Sequence, residues 1–264
     1  MIGQYKNKEL LMQWRMNKSV PRFIIIEGDE GSGRLTFAKL IIKTLNATGI
    51  ICESNIDSVR TAIENAYNVS STTCYIFRDV DDMSTAAKNS MLKLVEEPPN
   101  NAYFIMTLKS IDNMLGTIKS RGVLIKMQPY THNQLVDIAG KEVSEYLRTP
   151  GQVLQEESYN IPEIETTVNN IIVALQNKSG LNLLKETTKL QAKSTEEGKL
   201  DVLLTLIIFE RKLLENYNML TSEILGYIST CKNELKNNSV NKKASFESML
   251  IKILEELKNG TEIS

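Results

Sequence analysis

The chain has 264 residues, of which 42% are hydrophobic and 24% charged, a composition typical of globular domains. Its formal net charge of −1 excludes an overall basic surface for nucleic acid, so DNA contact would need a local patch or neighbouring subunits. Cys52, Cys74 and Cys231 lie far apart without a C-x-x-C pair, and we therefore expect no disulfide framework and no metal. The absence of a secretory leader and of a long apolar run predicts a cytoplasmic protein with no membrane association.

The first half of the chain alternates short apolar runs with helical patterns, which is typical of a mostly parallel sheet wrapped by helices. The predicted strands are Phe23–Ile26, a weaker Ile50–Glu53, Thr73–Phe77, Tyr103–Leu108 and Gly122–Met127. The predicted helices between them are Lys8–Asn17, Arg34–Thr48, Asp57–Tyr67 and Thr85–Val95.

After Pro129 the strand signals end, and the remaining amphipathic segments predict an all-helical second half with a boundary near residue 130. The predicted helices are Asn133–Leu147, Pro162–Leu175, Leu200–Leu220 and Phe246–Leu257, with Lys236–Lys243 as a solvated linker.

A glycine loop follows the first predicted strand and leads into a helix, the context in which backbone N–H groups cradle phosphates. The candidate nucleotide contacts are Gly28, Gly31, Gly33, Arg34 and Thr36. A working loop has Lys and then Ser or Thr where this chain has Arg34 and Leu35, and Leu35 offers no oxygen to magnesium. Asp29 and Glu30 add like charge beside a bound polyanion. We expect no cofactor or only weak, vestigial ATP or ADP binding, and a loop kept solely for its backbone turn is equally open.

The acidic end of the third predicted strand is the second element of a nucleotide site. If the metal ligand is the first residue beyond the apolar run, it is Arg78, and Asp79 takes the position of the catalytic glutamate. In the alternative register Asp79 is the metal ligand, which restores part of the site but not the missing hydroxyl at Leu35. The sequence leaves both registers open.

Five segments resemble the AAA+ clamp-loader family, and most of all its delta-prime subunits of bacterial DNA polymerase III. They are Ile2–Gln4, the glycine loop, Ile56–Arg60, Ala87–Pro99 and Thr117–Arg121. The resemblance implies an α/β AAA+ fold, a RecA-like parallel sheet wrapped by helices, followed by a small helical lid and an all-helical C-terminal domain. The implied domains are an AAA+ domain with a degenerate P-loop at 1–130, a lid at 131–160 and a collar-like domain at 161–264.

The same resemblance gives Ser120 and Arg121 a role, because in clamp loaders this pair supplies an arginine finger to ATP held by the neighbouring subunit. From spacing alone Arg121 is equally a salt-bridged surface arginine. The chain departs from the family in three ways. Gly122 stands where a cysteine is usual, the four-cysteine zinc module is missing, and Thr149–Leu154 in the lid lacks a sensing arginine.

These features together predict a non-hydrolysing, delta-prime-like subunit that assembles with other clamp-loader AAA+ subunits. Through them it would act indirectly on the sliding clamp, polymerase and primer-template DNA. One alternative is an active but divergent ATPase that uses Arg34 and Thr36 in unconventional roles. A second alternative is an AAA+-like scaffold outside replication.

Overall fold

The computed structural model describes residues 1–190, 200–215, 221–235 and 240–259, except for the side chain of Asn113. Backbone contacts divide the chain into two compact units, Met1–Leu154 and Gln155–Ser264. The finer division at residues 130 and 160 stays a prediction.

The first unit contains a five-stranded parallel sheet, as the apolar runs predict. Its strands are β1 (Phe23–Glu27), β2 (Thr48–Cys52), β3 (Thr73–Phe77), β4 (Ala102–Leu108) and β5 (Val123–Lys126). They lie in the order β2-β3-β4-β1-β5, and all four pairings are parallel. Because the strands are parallel, the glycine loop after β1 and the acidic segment after β3 emerge from the same edge of the sheet, on either side of β4.

The three central strands of the sheet, β1, β3 and β4, are buried on both faces. In β1 the side chains of Phe23 and Ile25 enter one apolar cluster, and those of Ile24 and Ile26 enter the other. A strand covered on both faces reads as a continuous apolar run rather than an alternating one. This burial fixes the end of β1, and with it the start of the glycine loop.

The first unit, whose backbone is described throughout, contains eight α-helices. They are α1 (Tyr5–Met16), α2 (Arg34–Leu45), α3 (Ile56–Asn68), α4 (Thr85–Ser90), α5 (Leu92–Glu96), α6 (Gly116–Lys119), α7 (His132–Ala139) and α8 (Pro150–Leu154). The predicted helix Thr85–Val95 is in fact two, because the chain breaks at the buried Met91 between α4 and α5.

The predicted helix Asn133–Leu147 is wrong over its second half. Helix α7 ends at Gly140, which has a φ of 68° and donates its N–H to the carbonyl of Val136. Such a left-handed residue is a common C-cap, and glycine adopts it without steric cost. The apolar spacing that continues beyond Gly140 belongs to turns.

The second unit is helical wherever it is described. Its helices are α9 (Ile161–Gln176), α10 (Gly180–Thr187), α11 (Val202–Glu215), α12 (Ser222–Leu235) and α13 (Lys242–Asn259). The sequence patterns missed α10 and α12. Residues 216–220 of the predicted third helix and 236–239 of the predicted linker lie outside the described residues. The linker is wrong at its end, since α13 begins at Lys242 with Asn241 accepting from the N–H of Ala244.

Within the described ranges, none of the helices is both long enough and apolar enough to cross a bilayer.

Candidate functional site

The glycine loop joins the buried end of β1 to the first turn of α2. Gly31 and Gly33 have φ values of 76° and 89°, in the left-handed region, and Gly33 is the N-cap of α2. This is the strand, loop and helix arrangement of a phosphate-binding loop, in which the helix N-terminus favours negative charge. The predicted backbone of the site is therefore present.

The cation of the loop is already engaged by a carboxylate of the same chain. Arg34 is 8% exposed, and its Nη2 lies 2.9 Å from Oδ1 of Asp79. The second terminal nitrogen, Nη1, is buried without a hydrogen-bond partner. A buried arginine requires a counter-charge, and here Asp79 supplies it.

The structure brings Asp79, and not Arg78, to the loop. Arg78 is exposed, while Asp79 has a φ of 47° and donates its backbone N–H to Oγ1 of Thr107 at 3.1 Å. Thr107 lies in β4, so the neighbouring strand fixes the aspartate against Arg34. Of the two registers open in the sequence, this geometry favours the second.

The residues after Arg34 do not form a magnesium site. Leu35 is partly buried and packs on the apolar cluster beneath α2, and Thr36 is exposed. Magnesium in phosphate loops takes a hydroxyl oxygen at the position of Leu35. The side chains present therefore do not fit a magnesium–ATP complex.

Two further ion pairs flank the loop. Glu27, the last residue of β1, lies 3.1 Å from Nζ of Lys126, and Glu30 lies 3.4 Å from Nζ of Lys109. The carboxylate of Glu30, expected to repel a polyanion, is thus partly neutralised by its own chain. The backbone of Lys109 is held in turn, because its main-chain N–H donates to Oδ2 of Asp81 at 2.9 Å.

Helix α8 rests directly on the glycine loop. The N–H of Gly151 donates to the carbonyl of Gly31 at 2.9 Å. A Cβ at position 151 would lie 2.5 Å from Cα of Gly31, so both positions need glycine for this approach. Tyr130 adds a second tie by donating its hydroxyl to the carbonyl of Ser32 at 3.0 Å. Burial raises the pKa of Tyr130 above its ordinary value, which keeps the hydroxyl protonated and able to donate.

Ser120 and Arg121 follow α6 and are accessible from outside the chain. The Arg121 side chain is 45% exposed, and its Nη2 lies 3.8 Å from Oε1 of Glu96 at the end of α5. Its Nη1 donates to the carbonyl of Thr117 at 3.3 Å, as does the Ser120 hydroxyl at 3.1 Å. The guanidinium therefore has weak attachments to its own surface.

The two predicted sites lie at opposite edges of the sheet. Arg121 precedes the first residue of β5, whereas the glycine loop follows the last residue of β1. Strands β1 and β5 pair in parallel, and four residues of strand span about 13 Å. Arg121 therefore cannot serve the glycine loop of its own chain.

Position 122 has no room for the cysteine that is usual in the resembled family. A Cβ there would lie 2.5 Å from Cδ1 of Ile25 and 2.9 Å from a ring carbon of Phe23. The departure at Gly122 thus follows from the large side chains of β1, which fill this space.

Several contacts of the site were not visible in the sequence. Thr107 and Lys109 come at the end of β4, where polar residues after a buried run are the available signal. Glu96 directly follows the predicted helix Thr85–Val95, and its nearness to Arg121 depends on the tertiary fold. The contact between Gly31 and Gly151 likewise joins segments that are distant in the sequence.

Comparisons with known proteins agree with the fold and sharpen its class. Residues 47–131, less than half of the chain, match the family model described as "DNA polymerase III, delta subunit". The DNA polymerase III subunit gamma/tau of Mycoplasma genitalium is 26% identical, over 53% of this chain and 30% of that protein. The gamma subunit of Buchnera aphidicola subsp. Schizaphis graminum is 24% identical, over 52% of this chain and 45% of that protein.

A solved structure resembles nearly the whole chain. It is a DNA polymerase III gamma subunit-related protein from Thermotoga maritima, with a TM-score of 0.50 and 16% identity, covering 94% of this chain and 99% of that one. The fold is the α/β AAA+ fold with a helical C-terminal part, as predicted.

The sequence matches thus relate this chain to subunits of DNA polymerase III. The matches cover less than half of the two curated relatives' lengths.

Proposed function

We propose that this chain is a non-hydrolysing, delta-prime-like subunit of a clamp loader in DNA replication. It assembles in the cytoplasm with other clamp-loader AAA+ subunits and places Arg121, with Ser120 beside it, at a neighbour's ATP site. Sliding clamp, polymerase and primer-template DNA are reached through that assembly. Residues 1–130, 131–160 and 161–264 serve in this proposal as the AAA+ domain, lid and collar-like domain.

The pairing of Arg34 with Asp79 carries the non-hydrolysing part of the proposal. In a working loop the cation after the last glycine contacts phosphate and the acidic residue holds metal. Here these two positions bind each other at 2.9 Å. Leu35 adds an apolar side chain where magnesium needs oxygen, so the site lacks both of its metal contacts.

Two observations support the role of Arg121 as a finger in trans. Its side chain is nearly half exposed, and it lies at the sheet edge away from its own glycine loop. A guanidinium presented to a neighbouring nucleotide must be reachable and able to leave its own contacts. A buried Arg121 would have favoured the scaffold alternative.

The isolated chain offers the first test. We expect no magnesium-dependent ATP hydrolysis above that of a buffer blank, because both metal contacts are missing. Turnover that disappears in Asp79→Ala would instead establish the divergent ATPase. Purification from the native host should recover polymerase or clamp-loader components, and their absence from a stable complex would favour a scaffold outside replication.

The proposed role of Arg121 as an arginine finger is tested in the native complex that contains this chain. Arg121→Ala should leave assembly intact and lower ATP turnover at the served site by about 10³-fold or more, the range known for arginine fingers. Arg78→Ala is the matched control, since Arg78 is an exposed arginine at the opposite edge of the sheet. Equal activity of the two variants would remove the finger from the proposal.

A further inference from the structure

The fold brings together two segments that the sequence shows as separate motifs. Helix α5 ends at Glu96, directly before Glu97, Pro98 and Pro99, and Arg121 follows α6. Oε1 of Glu96 and Nη2 of Arg121 lie 3.8 Å apart, with 53% and 45% of their side chains exposed. The contact joins the segment Ala87–Pro99 to Arg121, the arginine on which the proposed function depends.

We infer that Glu96 is a positioning residue, which holds Arg121 against its own chain until the phosphates of a neighbour's nucleotide displace the carboxylate. The inference rests on the proposed function of Arg121 and assigns the residue that controls its availability. Glu96 itself contacts no substrate in this role. It acts only through the guanidinium that it pairs with.

The pair has the strength that an exchangeable contact needs. An exposed ion pair of this length contributes little stability and is screened by salt. A polyphosphate carries several charges and accepts two parallel hydrogen bonds from a guanidinium, so it binds arginine better than one solvated carboxylate does. Glu96 can therefore orient Arg121 in the free subunit without preventing its transfer.

Neighbouring contacts anchor the backbone on both sides of the pair. Tyr67 donates its hydroxyl to the carbonyl of Glu97 at 3.2 Å, and Lys93 lies over the Tyr67 ring. On the other side Gly122 packs against β1 with no space for a Cβ. These contacts anchor the end of α5 and the residue after Arg121.

The chain provides a matched control for the carboxylate. Glu97 is the next residue and is exposed, and Glu97→Gln removes the same charge as Glu96→Gln. The first measurement uses the isolated chain and the arginine reagent phenylglyoxal, with modification of Arg121 followed by peptide mass spectrometry. We expect Arg121 to react about threefold faster in Glu96→Gln, as for loss of a weak ion pair, and unchanged in Glu97→Gln. Equal rates in both variants would overturn the pairing.

The second measurement uses the native complex. Glu96→Gln should lower the KM for ATP about two- to threefold without changing kcat, since it removes a competitor for the guanidinium. In an Arg121→Ala background the same substitution should change nothing. A fall in kcat for Glu96→Gln, or an effect that persists without Arg121, contradicts the inference.

The outcomes separate the two proposals. Full complex activity of Arg121→Ala overturns the proposed function, whatever the labelling shows. Loss of activity in Arg121→Ala, together with identical labelling of the two glutamine variants, overturns the positioning role alone.

Discussion

The surroundings of two arginines distinguish the two ends of the sheet. Arg34 is buried in the glycine loop and bound to Asp79 at 2.9 Å, whereas Arg121 is nearly half exposed and lies 3.8 Å from Glu96. The first guanidinium is part of the packed structure, and its removal from that pair would leave a buried charge. The second can exchange partners at little cost. The difference shows that a cation in a nucleotide motif is informative only together with its burial and its nearest carboxylate.

Replacing Asp79, the partner of Arg34 at the glycine loop, should give the largest change in stability. Asp79→Asn keeps a residue that tolerates the φ of 47° but leaves Arg34 without its counter-charge. We expect the free energy of unfolding to fall by about 2 kcal/mol, less than for a fully buried pair because the aspartate is partly exposed. Urea unfolding measures this.

The control for Asp79→Asn is Asp29→Asn, which removes an exposed carboxylate of the same loop. It should change stability by less than about 0.5 kcal/mol. Complex ATPase, compared at equal assembly, should be unaffected by Asp79→Asn, in contrast to Arg121→Ala. If Asp79→Asn lowers ATP turnover while stability is unchanged, the glycine-loop site is itself catalytic. The assignment of a structural role to Arg34 and a catalytic role to Arg121 is then wrong.

The second-largest loss of stability should come from disturbing the packing of α8 on the glycine loop. Gly151→Ala places a Cβ 2.5 Å from Cα of Gly31, which is backbone and cannot rotate away. We expect a loss of about 1–2 kcal/mol, as for overpacked sites, visible as a lower thermal midpoint. Gly226→Ala in α12 is the control, since nothing lies within 4 Å of its Cβ, and it should be neutral or stabilising. Equal midpoints in the two variants would indicate that α8 does not bear on the loop.

The smallest effect concerns β3, the strand that leads to Asp79. Burial raises the pKa of Cys74 from 9.0 to about 12, so the folded chain keeps this proton where the unfolded chain loses it. The stabilisation is complete below about pH 9 and is lost as pH rises toward 12. Between pH 8 and pH 9.5 the wild type should lose about 0.8 kcal/mol more than Cys74→Ala. Parallel pH profiles would show that Cys74 is solvated in the fold.

The sheet and the loop could be predicted from local sequence because buried parallel strands read as apolar runs. Thr73–Phe77 is predicted and observed with the same bounds. The end of α7 was missed, since apolar spacing continues past Gly140, and only the backbone conformation shows the stop. The sequence could not decide between Arg78 and Asp79 as the residue at the glycine loop. The left-handed turn at Asp79 decides which of the two side chains faces the loop, and only the backbone shows it. The contact of Glu96 with Arg121 depends on how α5 and α6 pack. The spacing of the motifs along the sequence gives no information about that packing.

The crowding at Gly122 also limits how this sequence can change. A cysteine at position 122 would meet Ile25 and Phe23 at 2.5 Å and 2.9 Å, and overpacking of this kind is destabilising. A cysteine there therefore requires the side chains of Ile25 and Phe23 to shift, or a smaller residue at one of these two positions. The residue that position 122 can hold is therefore coupled to the size of the side chains in β1.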